Sequence, residues 1–99
     1  MEILATVVQQ FPAREFASSQ DGQNKTVKCV ELKLCDGLNT YIVSAFAERA
    51  QSLIDHPIKE GSFVRANLSF SVRNAKSNDG KEWMFQQVRL DGISTIFAA

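Results

Sequence analysis

Three aromatic rings and five cations stand out by type and position. Trp83, Phe85 and Phe46 offer flat apolar faces, and Lys33, Arg73, Lys76, Lys81 and Arg89 offer positive charge on segments that alternate like strands. Such a set can stack planar rings while ion pairs follow a polyanion, with stacking worth about 1–3 kcal/mol per base in single-strand binders. Plainer roles are open to the same residues. Trp83 and Phe85 could cover the end of a barrel or a subunit contact, and Phe46 could be a core residue beside a helix. Arg73 and Arg89, like Arg65, could be solvated side chains on outward strand faces. Glu31, Asp79 and Glu82 would oppose a polyanion nearby.

Other chemistry is poorly represented. The single histidine, His56, precedes Pro57 at a helix end, with no nucleophile and base to partner it, so no enzyme activity is expected. No phosphate loop, dinucleotide fingerprint or paired carboxylate set occurs. Cys29 and Cys35 lie on one predicted strand, about 20 Å apart at the usual rise per residue, too far to bridge. Two cysteines and one histidine also fall short of a zinc set. No metal and no cofactor are expected.

The chain has 99 residues, enough for one hydrophobic core and therefore a single domain, 1–99. Eleven Lys and Arg balance eleven Asp and Glu, so attraction of a polyanion depends on a local basic patch rather than on net charge. The start, MEILATVV, lacks the basic residues and long apolar run of a leader or membrane span, which points to a cytoplasmic protein without membrane contact.

The elements that must position these residues follow from periodicity. Glu2 to Gln10 carries Ile3, Val7 and Val8 and is a first strand, ended or kinked at Phe11-Pro12. Ala17 to Lys25 is small and polar, with Asp21-Gly22 as a turn signal, and is a loop or the tip of a long hairpin. Thr26 to Cys35 alternates, with Val30, Leu32 and Leu34 on one face and Cys29, Glu31, Lys33 and Cys35 on the other, the pattern of a half-buried strand in which the cysteines are packing or surface residues. Thr40 to Ala47 is a third strand, whose two faces are of similar polarity. Glu48 to Asp55 switches to helical spacing through Ala50, Leu53 and Ile54, and His56-Pro57 stops it.

The fourth strand is long, with Val64, Ala66, Leu68, Phe70 and Val72 predicted to face inward. Asp79-Gly80 turns it into a fifth strand from Glu82, where Met84, Gln86, Val88 and Leu90 share the core face and Trp83, Phe85, Gln87 and Arg89 the other. Three strands, a short helix and a long hairpin make an all-β chain, and the order is that of the five-stranded OB-fold Greek-key barrel with one helix between strands 3 and 4. Closure of the barrel would remove exposed edges.

From Thr40 onward the chain resembles the bacterial single-stranded DNA-binding protein family. VSAFAERAQ (Val43 to Gln51) is similar to that family's third strand running into a Phe and a short helix, and IKEGSFV (Ile58 to Val64) to its approach to the fourth strand. GKEWMFQQVRL (Gly80 to Leu90) sits where its hairpin returns. With the fifth strand close to Ala99, the chain also resembles the short primosomal replication protein N type. The resemblance implies that Phe46 stacks a base and that Arg73 is the basic residue leading into the hairpin. Ala75 stands where the family often has an aromatic.

The expectation is an OB-fold protein that binds single-stranded DNA without sequence preference, in replication, repair or recombination, as a homodimer or homotetramer. RNA is an open alternative ligand. The site residues expected are Lys33, Phe46, Arg73, Lys76, Lys81, Trp83, Phe85 and Arg89. The competing reading is an OB-fold adaptor that binds protein and no nucleic acid.

Overall fold

Alternating β-branched and aliphatic residues build most of the chain into strands. The computed structural model describes the backbone of residues 1–20 and 23–99 and the side chains of residues 1–15, 26–74 and 76–99. The Asp21-Gly22 turn signal lies outside the described residues. In chain order the elements are β1 (Glu2–Gln10), β2 (Arg14–Gln20), β3 (Gln23–Cys35), β4 (Thr40–Phe46), α1 (Glu48–Asp55), β5 (Phe63–Lys76) and β6 (Glu82–Phe97).

The sheet closes on itself. β1 pairs with β5 and with β3, β3 pairs with β4, β4 meets β6 in parallel at Ser44 and Arg89, and β6 pairs with β5. These five strands form a ring, to which β2 is added along the outer part of β3. β1 serves two partners by dividing its length: Glu2 to Thr6 face β5, and Thr6 to Gln10 face β3. The irregularity between Val7 and Gln9 falls within the β3-facing half, where an extra residue bends a strand and increases its twist. This is the OB-fold barrel expected from the element order. The polar run from Ala17 is indeed the end of a long hairpin, in register from Arg14 opposite Cys29 to Gln20 opposite Gln23.

The core is the inward half of each alternation. Ala5 and Val7, Val30, Leu32 and Leu34, Val43 and Ala45, Val64, Ala66 and Leu68, and Leu90 are buried together. Full burial of each Val or Leu side chain favours the barrel by roughly 1.5–3 kcal/mol. α1 adds Ala50 and Leu53, one turn apart on a single face. Gln10 ties that helix to its surroundings: its Nε2 donates to the Leu53 carbonyl (3.1 Å), and its Oε1 accepts from the Ile58 N–H (3.0 Å).

Two details depart from the periodicity. β4 ends at Phe46, one residue short of the predicted Ala47, because Ala47 takes φ 55° and turns the chain into α1. More consequentially, Phe70, Val72 and Met84 do not enter the core; they are 43%, 67% and 75% exposed, and Gln86 is exposed as well. Alternation shows which face of the hairpin continues the barrel interior; beyond Leu68 and Leu90 only Val88 still packs, half-buried, against the core, and further out no layer among the described residues covers that face.

Candidate functional site

Residues opposite one another in a ladder project to the same side, so the register defines the faces. Cys29, Glu31 and Lys33 on β3 stand opposite Phe46, Ser44 and Ile42 on β4. Ser44 stands beside Arg89 on β6, and Arg89, Gln87 and Phe85 stand opposite Ser69, Ser71 and Arg73 on β5. Trp83 continues that row one ladder step further out, opposite Ala75. A single outer surface therefore runs from β3 across β4 to β6 and onto the ribbon. It carries six of the eight expected residues: Lys33, Phe46, Arg73, Trp83, Phe85 and Arg89.

The other two lie elsewhere on the ribbon. Lys76 stands opposite Glu82 on the reverse face, and Lys81 follows the turn. The turn is held by backbone bonds between Ser77 and Lys81 (2.9 Å) and between Gly80 and Ser77 (3.1 Å). Asp79 accepts from the Ser77 hydroxyl and from the Lys81 N–H, and the Ser77 bond is the larger cause holding its carboxyl below the usual range. Gly80 supplies the φ of 86° that the turn requires. At this end a cleft of about 540 Å³ is lined by Asn74, Lys76, Glu82, Trp83 and Met84, so Trp83 shares a cleft with residues of the reverse face.

At the barrel end of the same outer surface, Phe46 and Phe85 line one cleft of about 370 Å³, together with Ile42, Ser44, Arg14 and Glu31. The rings come from strands that are distant in sequence, and the parallel contact of β4 with β6 sets both on this cleft, Phe46 beyond the Ser44–Arg89 contact and Phe85 ahead of it. Phe46 is half-buried, while Phe85 and Trp83 are 47% and 50% exposed. All three rings are anchored by their strands, and Phe85 and Trp83 are about half exposed, the state a stacking residue needs.

The cations differ in how they are held. The Arg73 Nε donates to the Gln87 Oε1 at 3.0 Å, a bond to a neutral group that positions the guanidinium without neutralising it. The Arg89 Nε donates to the Asp91 carboxylate at 2.9 Å. The Ser69 hydroxyl also donates to Asp91, and this bond, followed by Arg89 itself, holds the Asp91 carboxyl below its usual range. Arg89 thus keeps an anionic neighbour across the whole neutral range and is the cation of the set least open to a further anion. Lys33, Arg73, Lys76 and Lys81 have no ion pair among the described residues.

Arg14 was not among the expected residues, yet it lines the Phe46–Phe85 cleft and forms an ion pair with Glu31. Ile42 was missed as well. The signal for Arg14 lay in the alternation of Arg14 and Phe16, which becomes visible only once a strand is assigned after Pro12. Among the described residues, no group of three His, Cys, Asp or Glu could hold a metal, and no helix is long and apolar enough to cross a membrane.

No family model matches the chain, and no curated protein matches it in sequence. Solved structures do match. The second OB-fold domain of replication protein A from Methanococcus maripaludis superposes with a TM-score of 0.61 at 21% identity, over 99% of this chain and 84% of that one. The mitochondrial single-stranded DNA binding protein Rim1 from S. cerevisiae superposes with a TM-score of 0.60 at 11% identity, over 100% of this chain and 94% of that one. At such identities the likeness is one of fold, and the chain is an all-β OB-fold barrel.

Proposed function

We propose that the protein binds single-stranded DNA without sequence preference, along the outer surface of β3, β4 and β6 and out onto the β5–β6 ribbon. The observation that carries this reading is the register that sets Phe46, Phe85 and Trp83 on one surface with Lys33 and Arg73. Phe46, Phe85 and Trp83 take bases by stacking, and Lys33 and Arg73 take phosphates between them, with Lys76 and Lys81 reaching a strand that wraps the ribbon tip. Arg89 contributes less, because Asp91 already occupies it. A likeness of fold to a single-stranded DNA binding protein supports the reading, although fold by itself does not carry function.

One barrel offers a short site, so we place the protein in a homodimer or homotetramer acting in DNA replication, repair or recombination in the bacterial cytoplasm. Trp83 is the only tryptophan and reports directly on the ribbon. Titration with oligo-dT at low salt is expected to quench its fluorescence, and Phe85→Ala is expected to weaken binding by about 5-fold to 150-fold, the range for one lost stack. The same titration with oligo-dA and oligo-U tests base and sugar preference. Absence of binding at low salt would sink the proposal and favour the protein adaptor. Tight binding without quenching would move the site off the ribbon.

A further inference from the structure

A second cleft, of about 410 Å³, lies beside the first. Its walls are Phe11, Pro12 and Ile42, with Arg14 and Glu31, so three side chains, Arg14, Glu31 and Ile42, line both clefts. The Arg14–Glu31 ion pair therefore stands on the boundary between them. The new cleft is held in place by the backbone: the Phe11 N–H donates to the Glu31 carbonyl at 2.9 Å, which fixes the Phe11-Pro12 corner beside β3. Its walls are largely apolar, whereas those of the Phe46–Phe85 cleft are polar and apolar in nearly equal measure. Its one cation and one anion are the pair itself.

The two partners are unequally accessible. Arg14 is 63% exposed and Glu31 24%, so a polyanion approaching this surface meets the guanidinium first and the carboxylate beneath it. The pair engages Nη2 of Arg14, and a guanidinium carries further N–H donors on Nε and Nη1. An ion pair this exposed contributes little to stability, so its partial exchange for a phosphate is inexpensive. Among the described residues Glu31 is the only carboxylate lining either cleft.

We infer that the strip over Phe11 and Pro12 is a second base pocket, joined to the Phe46–Phe85 cleft across Arg14, and that Arg14 takes the phosphate between two bases in competition with Glu31. This rests on the single-strand reading above and extends its track from the ribbon to the end of β1. Glu31 acts as a charge brake on the track: while it holds Arg14, the central phosphate site is neutral, and a bound strand must share or displace it.

The experiment compares wild type, Glu31→Gln, Arg14→Gln and Phe11→Ala by anisotropy of labelled oligo-dT at several salt concentrations, with thermal melts to show that each is folded. Glu31→Gln is expected to bind roughly threefold to tenfold more tightly, from loss of one negative charge near a phosphate. Arg14→Gln is expected to bind more weakly and to make the slope of log affinity against log salt shallower by about 0.7, the loss of one phosphate contact. A pair that serves only the barrel would move the melts and leave that slope unchanged. Phe11→Ala is expected to weaken binding of long oligo-dT and to spare the shortest oligomer that still binds; should it unfold the chain, Phe11→Leu replaces it. If Glu31→Gln binds no more tightly than wild type, or Arg14→Gln keeps the wild-type slope, the inference is wrong while the single-strand reading stands. If wild type binds no oligonucleotide at all, both fall together.

Discussion

Cys29 and Cys35 share the outward side of β3 but not its environment. Cys29 is 2% exposed, covered where β2 and β4 flank it with Arg14 and Phe46 as its ladder partners, whereas Cys35 near the strand end is half-buried. Burial pushes the Cys29 thiol up from its ordinary value, and the charge of Arg14 only partly opposes this. Since the thiolate is the reactive form, Cys29 is doubly protected, by access and by protonation. With Ellman's reagent at pH 8, Cys35→Ser, which leaves Cys29 alone, is expected to react at least about tenfold more slowly than Cys29→Ser, and to catch up in denaturant. Equal rates in the native protein would mean that the floor of the Phe46–Phe85 cleft opens readily, and would weaken the picture of a preformed site.

Among the elements, the junction of β4 and α1 carries the clearest strain. Ala47 has φ 55° and ψ −120°, a conformation that L-residues adopt at a cost of roughly 1–2 kcal/mol and glycine adopts freely. Two backbone bonds hold it there, from the Ala47 N–H to the Lys28 carbonyl and from the Gln51 N–H to the Ala47 carbonyl, both 3.0 Å. Glycine also loses more chain entropy on folding, which offsets part of the gain. Ala47→Gly is therefore expected to stabilise the protein by about 0.5–1 kcal/mol, read from the urea midpoint at unchanged m-value. A lower midpoint would mean that the helix start tolerates the left-handed residue without strain.

Legibility also differs by element. α1 was read to its residue limits, because Ala50 and Leu53 set its period and His56-Pro57 its stop; β1 was legible from its β-formers and Pro12. β2 was not, since Arg14 to Gln20 pairs through its backbone and needs no apolar alternation. The inward row on β5 was legible in direction but not in extent: ring closure at Leu68 and Leu90 determines where the interior stops, and that is a property of five strands together. For the site, alternation could put Trp83, Phe85 and Arg89 on one side of a strand. It could not place Phe85 near Phe46, or Arg14 on Glu31, because both depend on pairings between distant segments.

At the scale of the whole molecule, shape and charge set the manner of binding. The radius of gyration is 14.9 Å and the extents are 45 × 29 × 20 Å, longer than the roughly 13 Å radius of a compact chain of this size, because the ribbon projects from the barrel. The charge is balanced, eleven of each sign. On the outer surface Arg89 is already held by Asp91, which leaves Lys33 and Arg73, Lys76 and Lys81 at the tip, and Arg14 where a strand shares it with Glu31, to meet phosphates. Counterion release then involves only about three to five phosphates, and single strands give a slope near −0.7 for each. The expected slope of log affinity against log salt is therefore about −2.1 to −3.5, so a tenfold rise in salt weakens binding by roughly 130-fold to 3,000-fold. Stacking, which salt screens little, supplies the remainder, and Phe85→Ala is expected to lower affinity by the same factor at every salt concentration. A slope steeper than about −4 would require cations that this surface does not present, and would place the phosphate track elsewhere on the molecule.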